Sequence, residues 1–201
     1  MPRVELAEIR ERKFAVRERQ KLFLATLTPE QKAGGAAAAA ALLLQQRAWK
    51  SARAVLLYSA LKSEIDLRLV IEAAFAVGKT VALPQWSPAT ETYLAAELRP
   101  ADARLVKGSF GVLEPPSHAL PIPWNRLDFA LVPGVAFDLR GVRLGRGKGF
   151  YDRMLAEVEG PKCGICFDPQ VVRELPFEAH DIRMNCLLTP TRWIEFPREG
   201  T

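Results

Sequence analysis

The stretch from Leu131 to Leu155, LVPGVAFDLRGVRLGRGKGFYDRML, contains the residues best suited to chemistry. An apolar strand pattern runs into a loop carrying Gly141, Gly145, Gly147 and Gly149, and a helical pattern begins near Phe150. Glycines let the backbone approach a phosphate closely and take positive φ. A loop that opens a helix also turns unpaired N–H groups toward an anion. Arg140, Arg143, Arg146, Lys148 and Arg153 crowd this stretch against Asp138 and Asp152. Arginine forks and a lysine point charge suit a triphosphate, so the segment reads as a phosphate-binding loop. It is not a Walker A loop, because the Gly147-Lys148 pair lacks both the preceding glycine spacing and a following Ser or Thr. It is not GxGxxG either, because its glycines alternate. Asp152, on the first turn of the helix, has two readings from spacing: a Mg²⁺ ligand beside bound phosphate, or a complement to the helix dipole.

The elements that must position this loop form an α/β pattern. Residues 4–25 read as an amphipathic helix dense in Arg, Lys and Glu, and Thr28-Pro29-Glu30-Gln31 starts a second helix with a capping box and an N1 proline. That helix carries the alanines from Ala36 to Ala41. Beyond residue 54, short apolar runs alternate with helical patterns. Strands are predicted over Ala54 to Ser59, Thr80 to Leu83 (closed by Pro84), Phe129 to Val132, Gly164 to Phe167 and Leu187 to Thr189. Helices are predicted over Leu67 to Val77 and Phe150 to Val158. The Pro-rich segment 84–127 resists assignment, apart from a strand over Tyr93 to Leu98 toward an edge. The expected fold is α/β: a single domain over residues 1–201, three-layer α/β/α, with a mostly parallel central sheet and an N-terminal helical hairpin. In such open sheets ligands lie beyond the carboxyl ends of the strands, where the glycine loop falls.

Composition bounds the reading. At 201 residues, 49% hydrophobic and 25% charged, the chain has the proportions of a globular protein rather than a disordered or collagenous one. The longest apolar run, Ala36 to Leu44, is too short to span a bilayer, and the charged start lacks the apolar core of a secretory signal. A cytoplasmic protein without membrane contact is expected. Three cysteines fit a reducing compartment. The net charge of +5 points to an anionic partner. Nucleic acid is not expected, because Glu5, Glu8, Glu11 and Glu18 break up the basic first helix.

The glycine loop resembles the signature of the 5-formyltetrahydrofolate cyclo-ligase family, and the resemblance extends over most of the chain. Lys13-Phe-Ala-Val-Arg17 is similar to the family's Lys-x-x-Leu-Arg, Ser63-Glu64-Ile65-Asp66 to its Glu-Val-Asp segment, and Phe110-Gly-Val-Leu-Glu-Pro115 to its FGILEP segment. Asp168-Pro-Gln170 and His180-Asp181 match its carboxyl-terminal blocks. The resemblance implies conversion of 5-formyltetrahydrofolate and ATP to 5,10-methenyltetrahydrofolate, ADP and phosphate, through a phosphorylated formyl intermediate. It places ATP on Lys13, Arg17, Arg143, Leu144, Gly145, Arg146, Gly147, Lys148, Gly149, Phe150 and Tyr151, with Arg146 and Lys148 acting on the transferring phosphate. It places folate on Glu64 and on the interval from Arg146 through Gly147, Lys148, Gly149 and Phe150 to Tyr151; Ser59 is a weaker contact, by position at a strand end. It gives Mg²⁺ to Asp152 and Asp181. Arg146 and Phe150 stand where family members often carry Tyr, so Phe150 lacks a hydroxyl. A monomer acting on folate and ATP is expected.

Other features read as structure. Cys163-Gly-Ile-Cys166 lies in a predicted strand, where residues three apart point to opposite faces, and no second pair completes a zinc set. His118 and His180 have no serine or cysteine motif beside them, and the four scattered tryptophans suit core packing, although Trp86 or Trp124 could line a pterin pocket. A sugar-phosphate or acyl-transfer enzyme on a similar scaffold is the rival reading. It needs a general base or glutamate nucleophile near the loop.

Overall fold

The computed structural model of the chain describes residues 3–100, 104–109, 111–147, 149–178 and 181–197, with side chains from residue 7 onward. Helix α1 (Arg3–Thr26) is joined by two residues to α2 (Pro29–Leu43). Thr28 forms the reciprocal cap implied by the sequence. Its hydroxyl accepts the Gln31 N–H at 3.2 Å, and its own N–H donates to Gln31 Oε1 at 2.9 Å. Ala36, Ala39 and Ala40 are buried with Leu43. The short side chains bring the α2 backbone close to its neighbours, and a Cβ on Gly35 would fall 2.8 Å from the Phe167 ring.

After α3 (Arg47–Ser51) the chain alternates strand and helix: β1 (Ala54–Leu56), α4 (Arg68–Ala76), β2 (Thr80–Ser87) and β3 (Thr92–Leu98). A small hairpin of β4 (Val106–Lys107) and β5 (Leu113–Glu114) precedes β6 (Pro121–Ile122) and β7 (Phe129–Pro133). Then come β8 (Ala136–Asp138), β9 (Arg143–Leu144), α5 (Phe150–Glu157), β10 (Lys162–Ile165), β11 (Val171–Val172), β12 (Cys186–Leu188) and β13 (Trp193–Glu195). The main sheet has eight strands in the order β13-β12-β10-β7-β1-β2-β3-β6. Its middle, from β12 to β2, is parallel, and antiparallel strands flank it on both sides. β11, β8 and β9 form a second sheet.

Alternation along the strands builds two cores. Phe129 and Leu131 of β7 pack with Leu43, Trp49, Val70 and Ala74 from the helices on one face; Ala130 and Val132 pack with Leu155 and Tyr151 of α5 on the other. The fold is thus the mostly parallel α/β arrangement expected. Cys163 belongs to the first core and Cys166 to the second, so the CxxC spacing straddles the sheet. All three thiols are free and buried.

Several boundaries differ from those read in the sequence. β2 does not stop at Pro84 but runs to Ser87. Trp86 turns its N–H away from β3, to the Glu114 carboxylate, and residues two apart share a direction. Pro84 therefore points its missing N–H to the side where β1 has already ended, since β1 pairs only with Thr80 to Ala82. β1 ends at Leu56 rather than Ser59, and β10 covers Lys162–Ile165 rather than Gly164 to Phe167. An apolar run records burial, not the point where a partner strand stops.

Asp128 sets the register at the head of β1. Its Oδ2 accepts the Arg53 and Ala54 N–H groups at 2.8 and 3.0 Å, and these bonds hold its carboxyl below the usual carboxylate range. A depressed folded-state value contributes stability above the unfolded value and loses it as pH falls through the folded one. Asp128→Asn is therefore expected to cost about 1 kcal/mol, after allowance for solvent screening, at pH 7. In urea melts the difference from wild type should hold above about pH 5 and close toward about pH 3. A gap that does not vary with pH would remove the charge from this explanation.

Candidate active site

Beyond the carboxyl ends of β1 and β7 lies a cavity of about 870 Å³. Its floor is set by how the glycine loop is held. β8 and β9 form a hairpin closed by buried Asp138, whose Oδ1 accepts the N–H groups of Arg140 and Val142 and whose Oδ2 accepts that of Leu175. β9 then delivers the chain directly into Gly145. Gly147 at φ 96° and Gly149 at φ 64° take left-handed conformations, and Gly149 is the N-cap residue of α5. Gly149, Phe150 and Tyr151 thereby bring the first turn of α5 to the cavity wall.

Helix α1 supplies the opposite wall. Arg10, Lys13 and Arg17 share one face by their spacing, and all three line the cavity. Arg17 Nε donates to the Gly145 carbonyl at 3.0 Å and so ties the helix to the loop. Burial lowers the pKa of Arg17, while Asp181 opposes the shift; a guanidinium still stays charged near neutrality. Lys13 Nζ donates to Glu178 Oε2 at 2.6 Å and to Asp181 Oδ2 at 3.0 Å. Burial pulls the Lys13 ammonium down, but these two carboxylates outweigh it and raise its pKa.

Arg143 is the most buried cation of the site, its side chain 4% exposed. Its Nη2 donates to Asp152 Oδ1 at 2.9 Å and its Nη1 to the Pro133 carbonyl at 3.4 Å, and the guanidinium lies 5.4 Å from the Tyr151 ring centroid. A Cβ on Gly145 would fall 2.9 Å from Nη1, so that glycine is the space in which the guanidinium lies. Burial raises the Tyr151 phenol, first among its causes, which keeps it neutral. Arg146 is 55% exposed and donates to Ser63 Oγ at 3.0 Å and to Glu64 Oε1 at 3.3 Å, linking the loop to the segment after β1. Glu64 Oε2 accepts the Leu61 N–H at 3.0 Å. Among the described residues, Lys13, Arg143 and Arg146 are thus each paired with a carboxylate.

Tyr93 and Phe150 give the cavity wall an aromatic part. Trp86 and Tyr93, opposite each other on β2 and β3, meet Phe150 in a triangle of edge-to-face contacts with centroids 5.2 to 5.5 Å apart. Arg153 lies 5.2 Å from the Phe150 ring.

The structure brings Lys13, Arg17, Ser59, Glu64, Arg143, Leu144, Gly145, Arg146, Gly147, Gly149, Phe150, Tyr151, Asp152 and Asp181 to the wall of this one cavity. Lys148 and His180 lie outside the described residues. Arg140, counted with the basic loop, is instead held by Asp138 and Glu174 at the other end of the β8–β9 hairpin and is no part of the wall. Residues unmarked by the sequence reading include Arg10, whose signal was its place one turn before Lys13, and Glu178, three residues before Asp181. Trp86 belongs to the aromatic triangle rather than to the core, and its partner Tyr93 carried no sequence signal beyond the strand pairing.

A parallel sheet with a glycine loop beyond its strand ends, cations around that loop and an aromatic wall beside it makes this an α/β protein with a cation-lined cavity of the kind that α/β enzymes use. Residues 9–190 match the model of the 5-formyltetrahydrofolate cyclo-ligase family. The chain is 32% identical over 170 residues to the 5-formyltetrahydrofolate cyclo-ligase of Escherichia coli K12, covering 83% of this chain and 93% of that one. It is 33% identical over 164 residues to a probable 5-formyltetrahydrofolate cyclo-ligase of Schizosaccharomyces pombe, covering 73% and 79%. The fold matches the solution structure of Aquifex aeolicus 5,10-methenyltetrahydrofolate synthetase with a TM-score of 0.83 at 30% identity, over 94% of this chain and 95% of that one. The chain belongs to the 5-formyltetrahydrofolate cyclo-ligase family and is a ligase. No helix among the described residues is long and apolar enough to cross a membrane.

Proposed function

We propose that the chain cyclises 5-formyltetrahydrofolate to 5,10-methenyltetrahydrofolate at the expense of ATP, releasing ADP and phosphate. The observation that carries this reading is one cavity whose wall joins cations and loop glycines with aromatic side chains. Such a wall suits a polyphosphate beside a flat heterocycle. The chemistry needs that juxtaposition, because an amide oxygen is a poor leaving group. The formyl oxygen attacks the γ-phosphorus and ADP departs, leaving an N5-iminium phosphate. N10 then attacks the formyl carbon, the C–O bond breaks, and the N10 proton leaves with the phosphate.

The protein's part is positioning and charge. Lys13 and Arg17 face the polyphosphate from α1, while the backbone at Gly145, Gly147 and Gly149 cradles it. Arg146 reaches the transferring phosphoryl by exchanging its Ser63 and Glu64 contacts, and Lys148 acts beside it. Glu64, once freed, and Ser59 face folate, with Phe150 and Tyr151 offering ring faces. For Mg²⁺ the donor chemistry fits in one respect: Asp152 Oδ2 makes no hydrogen bond among the described residues, although Oδ1 is held by Arg143. Asp152, with Asp181 in the same wall, would hold the ion, which when bound neutralises phosphate oxygens. No group of three His, Cys, Asp or Glu side chains that could hold a metal is found among the described residues.

The test is the methenyl chromophore, followed with pure protein, 5-formyltetrahydrofolate and MgATP, and with each substrate omitted in turn. Absorbance should grow only with both present. Folded protein that binds neither substrate would overturn the reading.

A further inference from the structure

Glu114 is nearly fully buried, 4% exposed, yet it makes no ion pair among the described residues. Its Oε2 accepts the Trp86 N–H at 3.0 Å, and Oε1 is buried without a partner among the described residues. The carboxyl sits on the backbone of Gly108, where any Cβ would fall inside it. Gln85, the residue before Trp86, donates from Nε2 to the carbonyls of Pro115 and Pro116 at 2.8 Å each. Two consecutive residues of β2 thus grip the end of the β4–β5 hairpin from the side that β1 leaves open.

That hairpin has two-residue strands, too short to hold a position unaided. It nevertheless places Val112 and Leu113 on the cavity wall. Trp86, at the other end of the Glu114 bond, is one corner of the aromatic triangle. The Tyr93 phenol is raised first by burial and then by Glu114, in keeping with the closeness of the carboxylate to this corner. The bond gives the Trp86 N–H a buried acceptor at a point β1 no longer reaches.

We propose that Glu114 is a positioning residue for the folate half of the site: its bond to Trp86 keeps the Val112–Leu113 wall in register with the aromatic triangle. This rests on the reading above for the identity of the ligand. The Glu114 carboxylate acts through the hairpin and Trp86. Its loss should therefore loosen the aromatic part of the wall and leave the α1 and glycine-loop part unchanged.

The experiment measures Kd for 5-formyltetrahydrofolate by tryptophan quenching without ATP, together with KM for each substrate, in wild type, Glu114→Ala, Glu114→Gln and Gln85→Ala. For Glu114→Ala, Kd and KM for folate should rise about tenfold, with KM for ATP and kcat each within about threefold of wild type. Glu114→Gln keeps an oxygen acceptor for the Trp86 N–H and should restore folate KM to within about threefold of wild type. Gln85→Ala loosens the same hairpin without touching the carboxylate and should raise folate KM in the same direction, which keeps the test open if Glu114→Ala fails to fold. Unchanged folate affinity in Glu114→Ala and Gln85→Ala, or equal losses for folate and ATP, overturns the proposal. Wild-type binding of folate without turnover would sink the proposed reaction and leave the Kd comparison standing; wild type that binds no folate overturns both.

Discussion

Arg146→Ala should lower kcat by about 10²–10³-fold with ATP and 5-formyltetrahydrofolate, and leave the melting temperature close to that of wild type. The fold is spared because the Arg146 side chain is 55% exposed, and its bonds to Ser63 and Glu64 are of the surface kind worth at most about 1 kcal/mol. Activity is not spared on the proposed function, because Arg146 stands between Gly145 and Gly147 in the loop proposed to cradle the phosphates. A cation that grips the phosphoryl more tightly as charge develops removes its contribution from kcat. One that grips ATP equally before and during transfer would raise KM alone. Arg146→Lys should recover part of kcat as a point charge without the fork. Steady-state kinetics over both substrates separates these cases, and a kcat within about threefold of wild type in the alanine variant would take Arg146 out of the transfer step.

The second large effect falls on stability. Arg143→Ala should cost about 3 kcal/mol, roughly 6–12 °C in melting temperature for a chain of this size. The guanidinium is buried against Asp152, the Pro133 carbonyl and the Tyr151 ring. Removing it takes away the cation paired with the Asp152 carboxylate and opens a void beneath Gly145. The native state already carries a cost here, since Arg143 Nε is buried without a partner among the described residues, which keeps the expected loss below the upper end for broken buried pairs. Arg143→Met with Asp152→Asn should recover part of the loss, because the second change removes the stranded charge. Additive losses in thermal melts would show that the pair is not coupled. Arg143 thus joins the end of β7 to the first turn of α5, which is a different task from that of the exposed Arg146 three residues later.

Much of the site could be read along the chain because its parts are local. Four glycines, the cations among them and a helix start are contiguous, and Lys13 and Arg17 declare a shared face by their spacing. The Thr28 cap, the core-straddling cysteines and the alternation of strand and helix are likewise short-range patterns with a period, and the structure keeps them. The expected carboxyl-end location of the site follows from the parallel sheet that those patterns imply.

Long-range pairing was beyond such patterns. Whether a cation in the loop is a ligand group or a brace depends on what lies against it: Arg140 is taken by Asp138 and Glu174, Arg143 by Asp152, and Arg146 by Glu64, and three similar letters acquire three roles. The run of β2 through Pro84 required knowing that β1 stops short, and the aromatic triangle required the register that sets Trp86 opposite Tyr93. Composition and period are properties of neighbours along the backbone. Desolvation and charge pairing belong to groups that only folding makes neighbours, so the type of chemistry was written in the chain, while its division of labour arose from packing.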